Sequence, residues 1–405
     1  MNKLLLLLCI APLSLFAQVS IKGKVVNQSS GNAVPLASVF LSNTGVGNKT
    51  EKDGSFKLSN IKNGRYQLVV TCIGFSPLQQ TLTVSGNDIN LPNIKLNPKV
   101  AQLKEVKVKF EKKSDRDMYM RIFVKAFLGN DYNATQCTIT NPDIIDFSYS
   151  KKKGLLRAST DDFMIIENKA LGYRIKYLLE SFVTNVDNDE EHTMNYVGVS
   201  AFEPMQGDEQ QQSKWINKRE KAYRGSPMHF FRSCIADAVS ENEFTVRATI
   251  IPEFIPKDSV IMRKIAYFRN TAAKSKENTD SLAYWNTVYW AAKNRVSSIE
   301  KVLRLNEYIK LTNEKGIYAF SSKSKGLLIN YKNKLNLIST GSTYVTFPKP
   351  DAFFDSNGVI FTPANILFEG YWPQLRVGDQ LPVDYEPLQY ERPPDAPQTV
   401  QESGE

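Results

Sequence analysis

Histidine is the scarcest reactive residue in this chain of 405 residues, which holds only His192 and His229. The two histidines and four cysteines fall into no metal-ligand spacing, so the sequence offers no zinc site. TEKDGSF (50–56) lacks the run of oxygen donors that a calcium loop presents. Neither GxxxxGK[ST] nor GxGxxG occurs, and TGVGNKT (44–50), the nearest approach to a phosphate loop, lies among strand and turn signals. No metal or cofactor is therefore expected. No stretch after the N-terminus is apolar enough, for ~20 residues, to cross a bilayer as a helix. Stacking and groove-reading motifs are also missing, which leaves nucleic acid without a recognition element.

The chain opens on MNKLLLLLCIAPLSLFA, a lysine followed by an apolar run that closes on small residues. That is the layout of a secretory signal peptide, with cleavage expected between Ala17 and Gln18. Cys9 lies inside the run and follows five leucines, which does not fit a lipidated cysteine. Export to an oxidising compartment permits disulfides, and Cys72, Cys137 and Cys234 would remain after cleavage. Three thiols cannot build a disulfide scaffold, so the cores must be hydrophobic. Cys72 sits in the apolar run LVVTCIGF and reads as a buried small hydrophobe. Cys137 and Cys234 are the pair to test for a bridge.

Net charge is +9, with the cations spread along the chain. The stretch from Lys99 to Lys125 is the exception, with nine lysines or arginines against four acids. It could lie against anionic headgroups, or simply be a solvated linker and helix face. The length exceeds the ~250–300 residues at which single cores stop growing, so more than one unit is expected.

From Val19 to about Leu96 short apolar–polar alternations (VSIKGKVV, ASVFLSN, GSFKLSNI, GRYQLVVTCIGF, QQTLTVSG, INLPNIKL) are divided by turn formers. Asp53-Gly54 and Asn63-Gly64 are hairpin signals, and Pro35 and Pro77 fit strand ends. Strands this short and this closely spaced predict a β-sandwich. The run GKVVNQSSGNAVPLASVFLSNTGVGNKTEKDGSFKLSNIKNGRYQLVVTCIGF resembles the carboxypeptidase regulatory-like domain. Gly23, Pro35-Leu36-Ala37, Thr50 to Phe56, Gly64, Tyr66 and Ile73-Gly74-Phe75 carry the likeness. The resemblance implies a transthyretin-like or Ig-like sandwich of about 80 residues acting as a non-catalytic accessory. It brings no peptidase, because neither His192 nor His229 is set in an HxxE.

A basic connector (98–114) with one more strand, LKEVKVKF, comes next. Met118, Ile122, Val124, Phe127 and Leu128 then mark an amphipathic helix stopped at Gly129-Asn130. Strand-rich sequence follows, with DNDEE (187–191) as an exposed turn. Helical patterns recur over 213–238 and 279–315 before strands return. The tail from 391 is Pro-rich, acidic and expected to be disordered. The chain is thus expected to divide into a signal peptide (1–17), a sandwich (18–97), the linker (98–114), an α+β domain (115–390) and the tail (391–405). FVKAFLG, ATQCTITNPDIIDFSY, IIENKALGYRIKYLLESF, WINKREKAYRGSPMHFFRS and FEGYWPQLRVGDQLPVDYEP occur in this order in exported Gram-negative proteins carrying the regulatory-like domain. That likeness implies a cell-envelope protein and supplies no substrate.

Two constellations could carry chemistry. In the first, Trp215, Arg219 and Tyr223 fall at four-residue steps on one helix face, followed by Arg224, Ser226, His229 and Arg232. Ser226 and His229 could pair as nucleophile and base. The competing reading makes Gly225-Ser226-Pro227 a helix break, with Ser226 as N-cap and Pro227 at the first turn. In the second, Glu369, Trp372, Asp384 and Glu386 set acids beside aromatics, as glycan binding or glycoside chemistry would need. Leu381 and its neighbouring prolines read as a strap packed on the core. The binding candidates are thus Trp215, Arg219, Tyr223, Arg224, His229, Arg232, Glu369, Trp372 and Asp384. The expected function is a non-catalytic binding or scaffold protein of the envelope, with outer-membrane proteins or glycans as partners. A glycan- or peptidoglycan-directed hydrolase or transferase, a carbohydrate-binding module, and an outer-membrane assembly factor are the alternatives.

Overall fold

The computed structural model describes residues 19–99, 113–186, 194–250, 258–271, 298–324, 326–332 and 340–388, together with 275, 278, 281, 282 and 285. The expected signal peptide, the LKEVKVKF strand, the DNDEE turn and the tail lie outside the described residues. No described helix is long and apolar enough to cross a membrane.

The first eight strands are β1 (Val19–Asn27), β2 (Ser38–Leu41), β3 (Gly47–Lys49), β4 (Ser55–Ile61), β5 (Gly64–Thr71), β6 (Leu78–Val84), β7 (Ile89–Asn90) and β8 (Ile94–Leu96). They form two sheets, β4-β1 with β7 and β8 both on β1, and β3-β2-β5-β6. Alternation decides what each strand buries. Val39 and Leu41 of β2 and Leu68 and Val70 of β5 fill the sandwich interior with Ile21, Phe56 and Leu58. The intervening Phe40 and Val69 face the other way and pack on Leu178 and Val199 of the next unit. The run LVV is therefore wholly apolar because both faces of its strand are covered. The N-terminal unit is the β-sandwich that the strand pattern predicts.

The second unit holds helices α1 (Lys113–Leu128) and α2 (Tyr132–Thr135). Its strands are β9 (Cys137–Ile139), β10 (Ile145–Ser150), β11 (Leu155–Thr160), β12 (Met164–Asn168), β13 (Tyr173–Asn185) and β14 (Met194–Pro204). The sheet order is β10-β11-β13-β12-β9, and the long β13 also pairs with β14. Tyr119, Phe123 and Phe127, at four-residue steps on α1, press onto Phe147, Tyr177 and Phe182. Phe123 meets Phe182 edge-on with centroids 4.9 Å apart.

Helices α3 (Glu209–Tyr223) and α4 (Pro227–Ile235) lead into the third unit. Strand β15 (Phe244–Ile250) pairs directly with β16 (Ser298–Val302), and α5 (Asp258–Thr271) lies in the excursion between them. The remaining strands are β17 (Ile309–Leu311), β18 (Ile317–Ser321), β19 (Gly326–Lys332), β20 (Thr340–Thr346), β21 (Asp351–Asp355) and β22 (Leu367–Gly370). They form the sheets β16-β15-β19-β20-β22 and β17-β18-β21 around Phe230, Phe231, Phe320, Phe354 and Trp372. The molecule is mainly β with a helical minority, and among the described residues the stretch read as one α+β domain contains two large hydrophobic cores and a small one at Ile261 and Ile265.

Two expectations need correction. The helix expected over 279–315 is helical at 281, 282 and 285, but residues 298–302 and 309–311 are strands. Its few apolar residues fit either period, and pairing with β15 and β18 decides the matter. Cys137 and Cys234 are free thiols. Cys137 packs against the second core, whereas Cys234 is buried in the third, so each sulfur has apolar neighbours instead of the other.

The chain after β22 is a strap without regular strands. Trp372 belongs to the third core, Val377 to the second and Val383 to the sandwich. One eighteen-residue stretch, 371–388, thus enters every major core of the protein.

Candidate functional site

The site begins with a helix break. Gly225 has φ +77°, a left-handed value that costs glycine nothing and other residues strain. Ser226 then caps α4, its Oγ accepting from the His229 backbone N–H at 3.2 Å, with Pro227 in the first turn. His229 answers with Nδ1, which accepts from the Gly225 N–H at 3.1 Å. Hydroxyl and imidazole therefore each serve a backbone amide, and the nucleophile–base arrangement is not formed. Burial among Tyr223, Phe244 and Tyr331 pushes the His229 pKa down to about 4.

Upstream, Asp208 caps α3 by accepting from the Gln211 N–H at 2.8 Å. The face carrying Trp215, Arg219 and Tyr223 comes down on the turn between β12 and β13. Trp215 Nε1 donates to the Lys169 carbonyl at 2.9 Å. Arg219 donates through Nε to Leu171 O at 2.7 Å and through Nη2 to Gly172 O at 3.0 Å. Its guanidinium lies over the Tyr173 ring, 4.0 Å from the centroid. Gly172 makes this approach possible: its φ is +69°, and a Cβ there would overlap the Trp215 indole.

Below the break, Arg232 clamps the strap. Its three nitrogens donate to Asn357 O at 3.0 Å, Tyr385 O at 2.9 Å and Val383 O at 2.7 Å. Glu220 holds the far end, taking the Arg224 Nε–H at 2.9 Å, the Leu388 N–H at 3.1 Å and the Tyr385 hydroxyl at 3.3 Å. The sandwich joins through its β2–β3 turn. Val383 N donates to Asn43 O at 2.7 Å, and Gly45 N to Asp384 Oδ1 at 2.9 Å. A second joint lies at Asn63-Gly64. There the Arg65 N–H meets Asp355 Oδ2 at 2.9 Å, and Asn357 Nδ2 donates to the Tyr66 hydroxyl at 3.1 Å.

Between α3, the strap and the Gly45 turn lies a cleft of about 350 Å³. Arg219 and Asp384 line it together, with Tyr173, Ile216, Tyr385, Glu386 and Leu388. Desolvation raises the Tyr173 and Tyr385 hydroxyl pKa values, so both remain protonated donors at neutral pH. Of the nine predicted binding residues, only Arg219 and Asp384 line this cleft. Tyr223, Arg224, His229 and Arg232 stand behind it as its frame, and Trp215 anchors α3. Trp372 reaches the helix break instead, donating from Nε1 to Gly225 O at 2.9 Å from inside the third core. Glu369 lies opposite Tyr344 in the β20–β22 ladder, away from the cleft. Sequence reasoning missed Tyr173 and Gly45, neither of which carries a motif. It also passed over Tyr385, whose place between Asp384 and Glu386 was the available signal.

The family model of the CarboxypepD_reg-like domain matches residues 21–108. The N-terminal sandwich is a CarboxypepD_reg-like domain. The match runs past β8 into residues 100–108, outside the described residues. The CarboxypepD_reg-like domain contributes Gly45, and so one wall of the cleft. No curated protein matches the chain. Among solved structures, a cohesin–X-dockerin complex from Acetivibrio cellulolyticus aligns at 16% identity and TM-score 0.18. That alignment covers 19% of this chain, which spans 56% of the other. A putative carbohydrate binding protein from Bacteroides uniformis aligns at 8% identity and TM-score 0.17, covering 46% of this chain and 99% of its own. A putative membrane-associated protein of unknown function from Bacteroides fragilis aligns at 9% and 0.16, covering 87% and 95%. None of these likenesses bears on function at such scores.

Proposed function

We propose that this chain is a non-catalytic binding or scaffold protein of the bacterial cell envelope. The observation that carries the reading is how its reactive side chains are used. Ser226 and His229 serve a helix cap, Arg232 is spent on three carbonyls, and Glu220 holds the strap. These groups fix three units against one another and leave no general base facing a nucleophile at the break. The envelope location rests on the signal-peptide pattern of residues 1–17.

The surface offered to a partner is the pole of the CarboxypepD_reg-like domain opposite the joints seen among the described residues. Asn43, Gly45 and Asn63 lie at the docked pole. Ser38 pairs with Thr71, so Leu36 and Ile73 lie at the opposite pole, which no other unit covers among the described residues. Ile73 is 100% exposed and Leu36 72% exposed, with Leu36 held at φ +58°. Exposed apolar side chains at one end of a sandwich are the anchors a protein interface uses.

The test is cross-linking capture of the tagged full-length chain from its native envelope fraction, beside the Leu36→Ser/Ile73→Ser double variant. A reproducible envelope partner that the double variant loses supports the reading. Recovery of the chain in the cytoplasmic fraction, or a capture profile identical for both proteins, overturns it.

A further inference from the structure

We infer that the cleft between α3, the strap and the Gly45 turn binds a neutral glycan unit through Arg219, Asp384 and Tyr173. This deepens the binding reading above by naming a ligand class for a second site on the same protein. Its volume of about 350 Å³ falls at the low end of the ~300–1,000 Å³ typical of small-molecule sites.

Charge narrows the ligand. The cleft sets the cation Arg219 against the carboxylates Asp384 and Glu386, and Glu386 also meets Lys62 of the sandwich in an ion pair. The four charges cancel, which favours neither a phosphorylated ligand nor a polycation. Polarity narrows it further. Arg219 has committed Nε and Nη2 to carbonyls, which fixes the guanidinium plane and leaves Nη1 for a ligand. Asp384 is likewise fixed through Oδ1 by Gly45 N, leaving Oδ2 as an acceptor. The Tyr173 ring is enclosed by Arg219 on one side and Phe202 at 5.6 Å on another, so its hydroxyl is its contribution to the cleft.

The result is a planar donor, a planar acceptor and a hydroxyl, all immobilised before a ligand arrives. Neighbouring hydroxyls of a sugar ring, each both donor and acceptor, complement that set. The apolar C–H face of the same ring suits the remaining walls, Ile216 and Leu388, which are 42% and 53% exposed. Groups already locked by the fold lose little entropy on binding, which is what a weakly hydrophobic ligand requires.

The experiment is a printed array of neutral and acidic oligosaccharides, with a tripeptide set as comparison, probed with the full chain. Titration calorimetry on the best hit follows. Asp384→Asn keeps the oxygen that Gly45 needs, and Ile216→Glu lies on an exposed helix position, so both variants should melt with the wild type. The expected result is binding of neutral oligosaccharides that weakens at least tenfold in each variant with Tm unchanged. An array without glycan binding, a preference for acidic glycans or tripeptides, or affinities untouched by both variants would overturn the inference. Neither cleft variant touches Leu36 or Ile73. Partner capture should survive them, so this inference and the scaffold reading fail separately.

Discussion

His229 and Asp379 show how single buried groups set the pH behaviour of the fold. His229 is held neutral by burial, with its pKa at about 4 against an ordinary 6.5. Its contribution to stability is complete above pH 6.5 and is lost as the pH falls from there through 4, where the unfolded chain takes up the proton first. Asp379 has the opposite sign. Burial, together with the neighbouring Asp131 carboxylate, raises its pKa from 3.8 to about 7. Its Oδ1 accepts from Asn133 Nδ2 at 2.8 Å, while Oδ2 is buried without a partner among the described residues. The folded state therefore binds this proton more tightly, and the contribution is lost as the pH rises from about 4 through 7. In Asp379→Asn the carboxamide keeps the Asn133 bond and turns its N–H₂ toward Asp131. Urea midpoints at pH 4.5 and 8 should show the variant gaining on wild type at the higher pH. A difference that is constant with pH would show that Asp379 does not titrate in this range.

Arg232 supplies a second prediction at the same scale. Arg232→Met removes three charge-assisted donors and leaves Asn357, Val383 and Tyr385 carbonyls unpaired. The expected cost is about 2–4 kcal/mol, given ~1–3 kcal/mol for each buried group left unsatisfied and partial access of water to the others. Denaturant unfolding of the variant checks it, and a loss below about 1 kcal/mol would remove Arg232 from the clamp.

Among the elements, α1 and the sandwich strands were legible because their apolar residues follow one period and meet one core. The break at Gly225-Ser226-Pro227 was legible too, since each residue there has a local reason for its place. The strand at 298–302 was not, because its partner β15 is distant in sequence, and the strand at 309–311 was not, because three residues are too few to show a period even though its partner β18 follows closely. The free thiols follow the same logic: compartment chemistry permits a Cys137–Cys234 bridge, but only packing decides whether the sulfurs meet. The cleft was half legible. Arg219 and Asp384 carry chemistry that can be read from residue type, whereas their fixing partners are backbone groups of Leu171, Gly172 and Gly45, which carry no side-chain signal. The β12–β13 turn makes the clearest prediction for an element. Gly172→Ala adds a methyl group against Trp215 at a left-handed φ and should destabilise the second unit by roughly 2–4 kcal/mol, combining strain and overpacking. A shift in the Trp215 emission at the same urea midpoint as wild type would instead mean that the turn adapts freely.

At the scale of the molecule, the strap is what makes three hydrophobic cores one protein. Trp372, Val377 and Val383 each belong to a different core, and Asn63-Gly64 against Asp355 and Asn357 ties the sandwich in a second time. The cleft is walled by the sandwich's Gly45, by Tyr173 of the second unit, by α3 and by the strap, so binding there depends on the strap's hold on those parts. All four tryptophans lie outside the sandwich, at 215, 285, 290 and 372. Tryptophan fluorescence therefore reports on the later units, whereas far-UV circular dichroism also reports on the sandwich. The decisive measurement is one urea titration of the full chain followed by both signals. Coincident transitions with one midpoint are expected, since the strap couples all three large cores. A circular-dichroism transition separated from the fluorescence transition would show that the sandwich unfolds on its own, and would contradict the strap's role.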